Sequence, residues 1–313
     1  MTELTAPIFT DAEEARKHLE AQVWPNGPVC PHCGNVDQAR ITSLKGKSHR
    51  PGLYQCSECT KQFTVTVGTV FERSKVPLNK WLLATYLLNS SKKGFSAHQL
   101  HRTLGVTYKT AWFMFHRIRE AMRPADPAPM GGGGGIVEVD ETFIGRVEGV
   151  PKQRAGWAHK NVVLTLVERG GSARSFHVES TNIGQIVPVI KANIARESAL
   201  MTDEAHQYRQ IGKEFAGHDT VIHGRDEYVR YEGDRVITTN TVEGFYSIFK
   251  RGMKGVYQHC GERHLHRYLA EFDHRYSYRI KLGHDDQART DKALAGIKGK
   301  RLMYRRDYEE ASF

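Results

Sequence analysis

Apolar positions along the chain change period several times, and each change marks an element. Residues 11–24 predict a short amphipathic helix, and 39–44 a strand. From Pro77 the pattern turns helical: residues 78–88 are apolar over most of a helix surface. After a break at 92–94, Ser96 caps a helix over 97–104 that ends at Gly105, and Thr107 caps a third over 108–122. Prolines and five glycines over 124–135 predict a linker or a flexible loop. Residues 136–144 alternate with period two. Val137, Val139 and Glu141 face one way, and Ile136, Glu138, Asp140 and Thr142 the other. Strands at 161–167 and 175–178 are joined by a tight Gly-Gly connection, which predicts an antiparallel meander. A helix at 183–196, a short strand at 199–202 ending on Asp203, a short helix at 204–213 and a strand at 219–223 follow. The last strong pattern starts at Asn240. Asn240 or Thr241 caps it, and Val242, Phe245, Ile248 and Phe249 share one buried face.

Strand-strand-strand-helix-strand-helix-strand-helix is the order of an RNase H-like fold, in which the first and fourth strands lie side by side and the last helix crosses them. The expected fold class is therefore α/β. An RNase H-like catalytic domain, a mixed five-stranded sheet with helices, is preceded by a zinc ribbon and a helix-turn-helix-like helical domain. Expected boundaries are 1–72 for the ribbon with its N-terminal helix, 73–123 for the helical domain and 124–135 for the linker. The catalytic domain takes 136–285, and a basic tail takes 286–313. The order would gather Asp140, Asp203 and Glu243 at one edge. Three separated acids, two at strand ends and one on a helix, suit divalent metal ions.

Charge adds a partner. The 313 residues carry a formal net charge of +10, which favours a polyanion, with nucleic acid the obvious one. No apolar run reaches the length of a membrane span, and the N-terminus lacks a signal peptide's basic and apolar regions. The expected location is the bacterial cytoplasm, associated with the nucleoid. Four of the five cysteines form two CxxC pairs, Cys30/Cys33 and Cys56/Cys59, separated by 22 residues. That spacing places four thiolates around one structural zinc. Cys260 stands alone and reads as a small buried residue. The helix, Leu-Gly-Val turn and second helix over 97–122 follow helix-turn-helix grammar, with a plain three-helix bundle as the alternative. In that grammar Tyr108, Lys109 and Thr110 face the major groove, and Arg117 and Arg119 reach phosphates.

With these residues in place, the chain resembles DDE-type transposases of bacterial insertion sequences, in the zinc-ribbon-containing ISXO-like group. The motifs that carry the resemblance are Val-Asp140-Glu-Thr-Phe-Ile-Gly, Thr-Asp203-Glu-Ala-His-Gln-Tyr and Asn240-Thr-Val-Glu243-Gly-Phe-Tyr-Ser-Ile-Phe-Lys250-Arg251-Gly. The resemblance implies cleavage and strand transfer at terminal inverted repeats by two-metal phosphoryl transfer with Mg2+ or Mn2+. It implies Asp140 bridging both ions, and Asp203 and Glu243 each holding one. Members of the group use either Glu or Asn as the third catalytic residue. Asn240 and Glu243 lie three apart on one helix, so both can face the metals. The ionised carboxylate is favoured as ligand. Lys250 and Arg251 would grip flanking phosphates. The implied partners are double-stranded DNA, as transposon ends and target, and further copies of the chain on that DNA, with no membrane. Two other functions fit parts of the pattern: a non-catalytic DNA-binding regulator, and an RNase H-like nuclease without strand transfer.

Overall fold

The structure, a computed structural model, describes residues 4–154 and 156–303 and divides into two compact units. The first holds the described residues of 1–91, 95–124 and 285–313, and the second holds 92–94 and 125–284.

In the first unit α1 (Pro7–Thr10) leads into α2 (Ala12–Val23). The Asp11 carboxylate starts α2 by accepting the N–H groups of Glu13 and Glu14 at 2.7 and 2.9 Å. Three short antiparallel strands follow: β1 (Ile41–Leu44), β2 (Leu53–Cys56) and β3 (Gln62–Phe63). Then come α3 (Leu78–Ser90), α4 (Ala97–Leu104) and α5 (Tyr108–Met122). Ser96 and Gln99 form a reciprocal capping box on α4, Gly105 ends it in the left-handed region (φ 61°), and the Thr107 hydroxyl caps α5. Ribbon and helices share one core: Leu19 and Phe63 belong to the same buried cluster as Trp81, Leu88, Leu100 and Phe115.

The C-terminal stretch differs from the expected basic tail. Residues Asp286–Ala295 form a helix, capped by Asp285, that puts Ala293 and Leu294, with Ile297 beyond it, into that core. Its exposed face is charged enough to hide the narrow Ala/Leu stripe. The remainder of that stretch, 304–313, lies outside the described residues.

The second unit is built on a five-stranded mixed sheet, as the sequence predicts. Its strands are β4 (Ile136–Ile144), β5 (Asn161–Glu168), β6 (Ala173–Val178), β7 (Ala199–Asp203) and β8 (Gly217–Val221), with α6 (Ile183–Asn193) before β7 and α7 (Tyr208–Ile211) after it. Spatial order is β6-β5-β4-β7-β8. The first three strands pair antiparallel, and β7 and β8 run parallel to β4. A hairpin of β9 (Val229–Glu232) and β10 (Arg235–Thr238) occupies what the sequence reads as a polar loop. It leads into α8 (Asn240–Gly252), and α9 (Leu265–Ser277) closes the unit. The two faces bury separate cores. Val137, Val139, Leu164 and Leu166 pack with Ile186 and Ile190 of α6, while Val163 and Val167 pack with Phe245, Phe249 and Phe272 of α8 and α9.

The glycine run is not a loose linker at its N-terminal end. Gly131 is buried at φ +74°, where an added Cβ would stand 2.3 Å from the Ser198 hydroxyl. Its N–H donates to the Glu168 carboxylate at 3.3 Å, and its carbonyl accepts from Gly135 at 2.8 Å. Met130 is tied on both sides, donating to Asn193 and accepting from Ala195. Backbone bonds to the end of α6 hold a turn that composition alone reads as flexible.

Candidate active site

Two sites were expected, and the cysteine site is the simpler. The four Sγ atoms of Cys30, Cys33, Cys56 and Cys59 lie within 4.8 Å of one another, with Cys30–Cys59 at 3.6 Å and Cys33–Cys56 at 3.7 Å. A tetrahedron with ~2.3 Å zinc–sulfur bonds has edges of about 3.8 Å, so the donor set fits a structural zinc ribbon. Burial disfavours a thiolate at Cys56, yet the amides of Cys59 and Glu58 and the Asn35 side chain outweigh it and bring its pKa down to about 6. His32 turns instead toward the Gln62 carbonyl at 3.4 Å.

The acidic site is assembled by strand register. β4 and β7 pair in parallel with Glu138 beside Met201. Two residues further along each strand, on the same face, stand Asp140 and Asp203. Burial is the first cause pushing the Asp140 carboxyl up to about 7, followed by the charges of Glu141, Asp203 and, less strongly, Glu243. Glu141 is also pushed up to about 7, chiefly by burial, and Asp203 is raised mainly for the same reason. Four carboxyl groups from two strands and a helix thus share one electrostatic environment. Among the described residues the four cysteines are the only group of three or more such side chains whose ligand atoms all lie within 4.8 Å of one another. A pair of ions about 3.5–4 Å apart does not require the acids to meet that closely, because ligands on opposite ions stand further apart. A cluster of carboxylate oxygens is the donor chemistry that divalent ions fit.

α8 delivers Glu243, and its placement comes from an acid the sequence did not single out. Glu138 is fully buried, and its carboxylate accepts the N–H groups of Thr241 at 2.7 Å and Val242 at 3.0 Å, the Thr241 hydroxyl at 2.7 Å, and Arg169 Nε at 2.7 Å. The expected cap was local, from Asn240 or Thr241. Instead a strand carboxylate satisfies the free amides of the helix and meets its positive end. Asn240 is exposed, with no capping bond from its side chain or that of Thr239. One turn beyond Glu243, the Tyr246 hydroxyl donates to the Asp140 carbonyl at 2.6 Å and faces the Val163 carbonyl at 3.2 Å. The Glu243 carboxylate, 42% exposed, accepts from the Thr239 hydroxyl at 3.1 Å.

His223 is the functional-site neighbour that sequence reasoning missed, having been read as a strand residue. Its Nε2 stands 3.5 Å from Glu243 Oε1, and the ring lies within electrostatic reach of Asp203. Glu204 puts it there: its two carboxylate oxygens each accept an N–H at 3.0 Å, from His223 and Gly224. This clamp also gives Glu204 a structural role. Nothing in local spacing signals it, since the partners are 19 and 20 residues apart.

The basic residues separate into two groups. Lys250 is half-buried; burial lowers its pKa, Asp140 opposes that, and Lys254 and Lys160 add to it, so one ammonium group lies near Asp140 with two more near that lysine. Arg251, Tyr108 and Lys109 are exposed. Arg117, expected to reach phosphate, is 9% exposed and spends its guanidinium inside the first unit, donating to the Glu72 carbonyl at 3.0 Å and the Leu302 carbonyl at 3.1 Å. Arg119 is 2% exposed. Both arginines sit on the packed side of α5, where a sequence charge count sees only two cations.

The four-cysteine ribbon and the α/β unit both match domains of transposases. Residues 133–277 match the ISXO2-like transposase domain, and residues 10–62 the transposase zinc-ribbon domain. A relative described as an uncharacterised protein in transposable element ISH50 of Halobacterium salinarum is 30% identical over 263 residues, spanning 78% of this chain and 85% of the relative. The chain belongs to the ISXO2-like transposase family. Among the described residues no helix is long and apolar enough to cross a membrane.

Proposed function

We propose that this transposase cleaves and joins DNA at the terminal inverted repeats of its insertion sequence, on an RNase H-like domain that uses Asp140, Asp203 and Glu243 to hold Mg2+ or Mn2+. The observation that carries the reading is the shared environment of these acids: Asp140 and Asp203 level on adjacent parallel strands, and Glu243 on the helix held against them. Bound ions would supply an activated water or 3′-hydroxyl and charge neutralisation at the leaving oxygen. The chain's own part is positioning. Tyr246 locks α8 to the Asp140 backbone, Glu138 fixes its N-terminus, and Lys250 and Arg251 bind phosphates beside the acids. Glu243 is preferred over Asn240 as the third ligand, since its carboxylate is the group Asp140 senses.

End recognition belongs in this proposal to the zinc ribbon, 1–72, and to α4 and α5 within 73–123, acting as a helix-turn-helix with Tyr108 and Lys109 toward the major groove. Two ends are joined in one event, so the active form on DNA is a homo-oligomer. The test is Asp203→Ala, assayed on duplexes carrying the element's end. Binding within about twofold of wild type with strand transfer abolished supports the assignment. Joining at the wild-type rate overturns it. Wild-type protein that binds the ends and never nicks them with Mg2+ or Mn2+ would instead be a regulator.

A further inference from the structure

The connection between β4 and β5, residues 145–160, carries Arg146, Lys152, Arg154 and Lys160 against one acid, Glu148. Its end is anchored: Val147 N–H donates to the His159 carbonyl at 3.0 Å, and His159 is buried. A turn closed by Lys160 N–H on the Trp157 carbonyl at 2.8 Å then pushes Trp157 outward. Trp157 is 55% exposed, an unusual state for the largest apolar side chain. It is braced rather than loose, because its ring stacks on Phe143 with centroids 5.4 Å apart and planes at 14°. The Lys160 ammonium sits 4.2 Å from the ring centroid, so the ring's π face is reachable by a cation. Phe143 lies on the side of β4 that carries Glu141, the side opposite Asp140, three residues beyond that aspartate. Lys160 is also one of the cations felt by Lys250, which is itself felt by Asp140. An exposed, braced indole thus stands in a basic loop whose last lysine, Lys160, shares the electrostatic surroundings of Lys250 with Asp140.

We infer that Trp157, braced by Phe143, stacks on an unpaired base of the DNA strand beside the cleaved phosphate, with Lys160, Lys250 and Lys254 along the neighbouring phosphates. This rests on the function proposed above and adds to it the kind of DNA the site takes. The positive loop selects a polyanion. The aromatic face selects bases that have left the helical stack, because paired bases present only their edges. Lys160 gives up its place on the ring to the base and moves to a phosphate. Stacking of this kind tolerates any base and is lost when the ring is removed.

The experiment uses the full chain with zinc, in magnesium-free buffer, and follows the anisotropy of a labelled oligothymidine strand and of a labelled duplex of equal length. Trp157→Ala should weaken oligothymidine binding about tenfold while changing duplex binding by less than about twofold, and Trp157→Phe should restore most of the loss. Thermal melting checks that both variants keep the wild-type fold. Equal oligothymidine affinity for wild type and Trp157→Ala would overturn the inference, as would a parallel loss on duplex. Failure of the enzyme reading looks different: wild type would not cut end DNA with Mg2+, yet the oligothymidine difference would persist.

Discussion

Glu138 on the central strand accepts the backbone N–H of Thr241 at 2.7 Å, so the helix that carries Glu243 is capped by a residue 103 positions earlier. The same carboxylate is paired with Arg169, which also donates to the Thr238 carbonyl at 2.9 Å on the chain entering α8. One buried acid thus fixes where Glu243 stands.

Glu138→Ala should therefore damage both stability and activity. It strands the Arg169 charge and two helix amides in a buried place, a loss of about 3–5 kcal/mol. Glu138→Gln keeps an acceptor oxygen and should lose less. Urea unfolding of the two variants, with strand transfer measured in parallel, checks the order: wild type above Gln above Ala in both. Equal stability of Ala and wild type would show that the cap is dispensable.

Asp273 predicts a pH effect away from the acidic edge. Its carboxylate accepts the Ser175 N–H at 2.8 Å and the Ser175 hydroxyl at 2.6 Å, but burial dominates and pushes its pKa up to about 7. The folded pKa lies above the unfolded value near 3.8, so the native state binds the proton more tightly. The stability contributed by that proton is fully present below about pH 4 and is lost as pH rises through 7. Asp273→Asn removes the titration. The stability difference between wild type and Asp273→Asn should shift against wild type from pH 4 to pH 8, by on the order of 3–4 kcal/mol. Denaturant midpoints at several pH values measure it, and a difference independent of pH would refute it.

Zinc removal should unfold more than the knuckles. Phe63, seven residues after Cys56, packs into the core that also holds Trp81 and Phe115. Cys56→Ser, or chelation of the wild type, should release the metal and lower the melting temperature of the first unit, with end binding lost first. Metal content and end binding are read on one sample. Full zinc retention with unchanged binding would count against a structural ribbon.

How much of this was legible beforehand follows from how local the causes are. β4 could be read to the residue because alternation of Val137 and Val139 with acids is a property of the strand itself. α8 could be read because its apolar face and its start lie within one stretch. The cap on α8 could not, because Glu138, Arg169 and Thr241 meet only in the fold. The β9–β10 hairpin was hidden by its own exposure. Tyr231 and Val236 stand opposite each other and both face solvent, and Ile237 is the one apolar side chain of the pair in a buried cluster, too little to betray the pairing. His223 reached Glu243 through a clamp from Glu204 that leaves no mark in sequence spacing. The C-terminal helix was masked by its charges, since only Ala293 and Leu294 with Ile297 beyond it supply an apolar contact.

The two kinds of basic residue on α5 give the sharpest separation of stability from DNA binding. Lys109 is exposed in the first turn of the helix, where the proposed reading puts it against DNA. Arg117 lies two turns further on, buried, with its guanidinium satisfying two backbone carbonyls, Glu72 and Leu302, and resting 4.9 Å from the Phe113 ring centroid. Removing Arg117 leaves those carbonyls without a donor in a place water reaches poorly, so Arg117→Ala should destabilise the first unit by about 1–3 kcal/mol. Its folded fraction should bind end DNA with wild-type salt dependence. Lys109→Ala should do the reverse. Its melting temperature should stay within a degree or so of wild type, since exposed substitutions rarely matter to stability. A lost phosphate contact would lower the slope of log affinity against log salt by about one; a lost base contact would weaken binding to the element's end more than to unrelated duplex. Melting curves and salt titrations on both duplexes resolve the four outcomes. If Arg117→Ala instead flattened the salt slope at unchanged stability, its guanidinium would have to leave the core to meet DNA, and the packing described for α5 would not be the DNA-bound state.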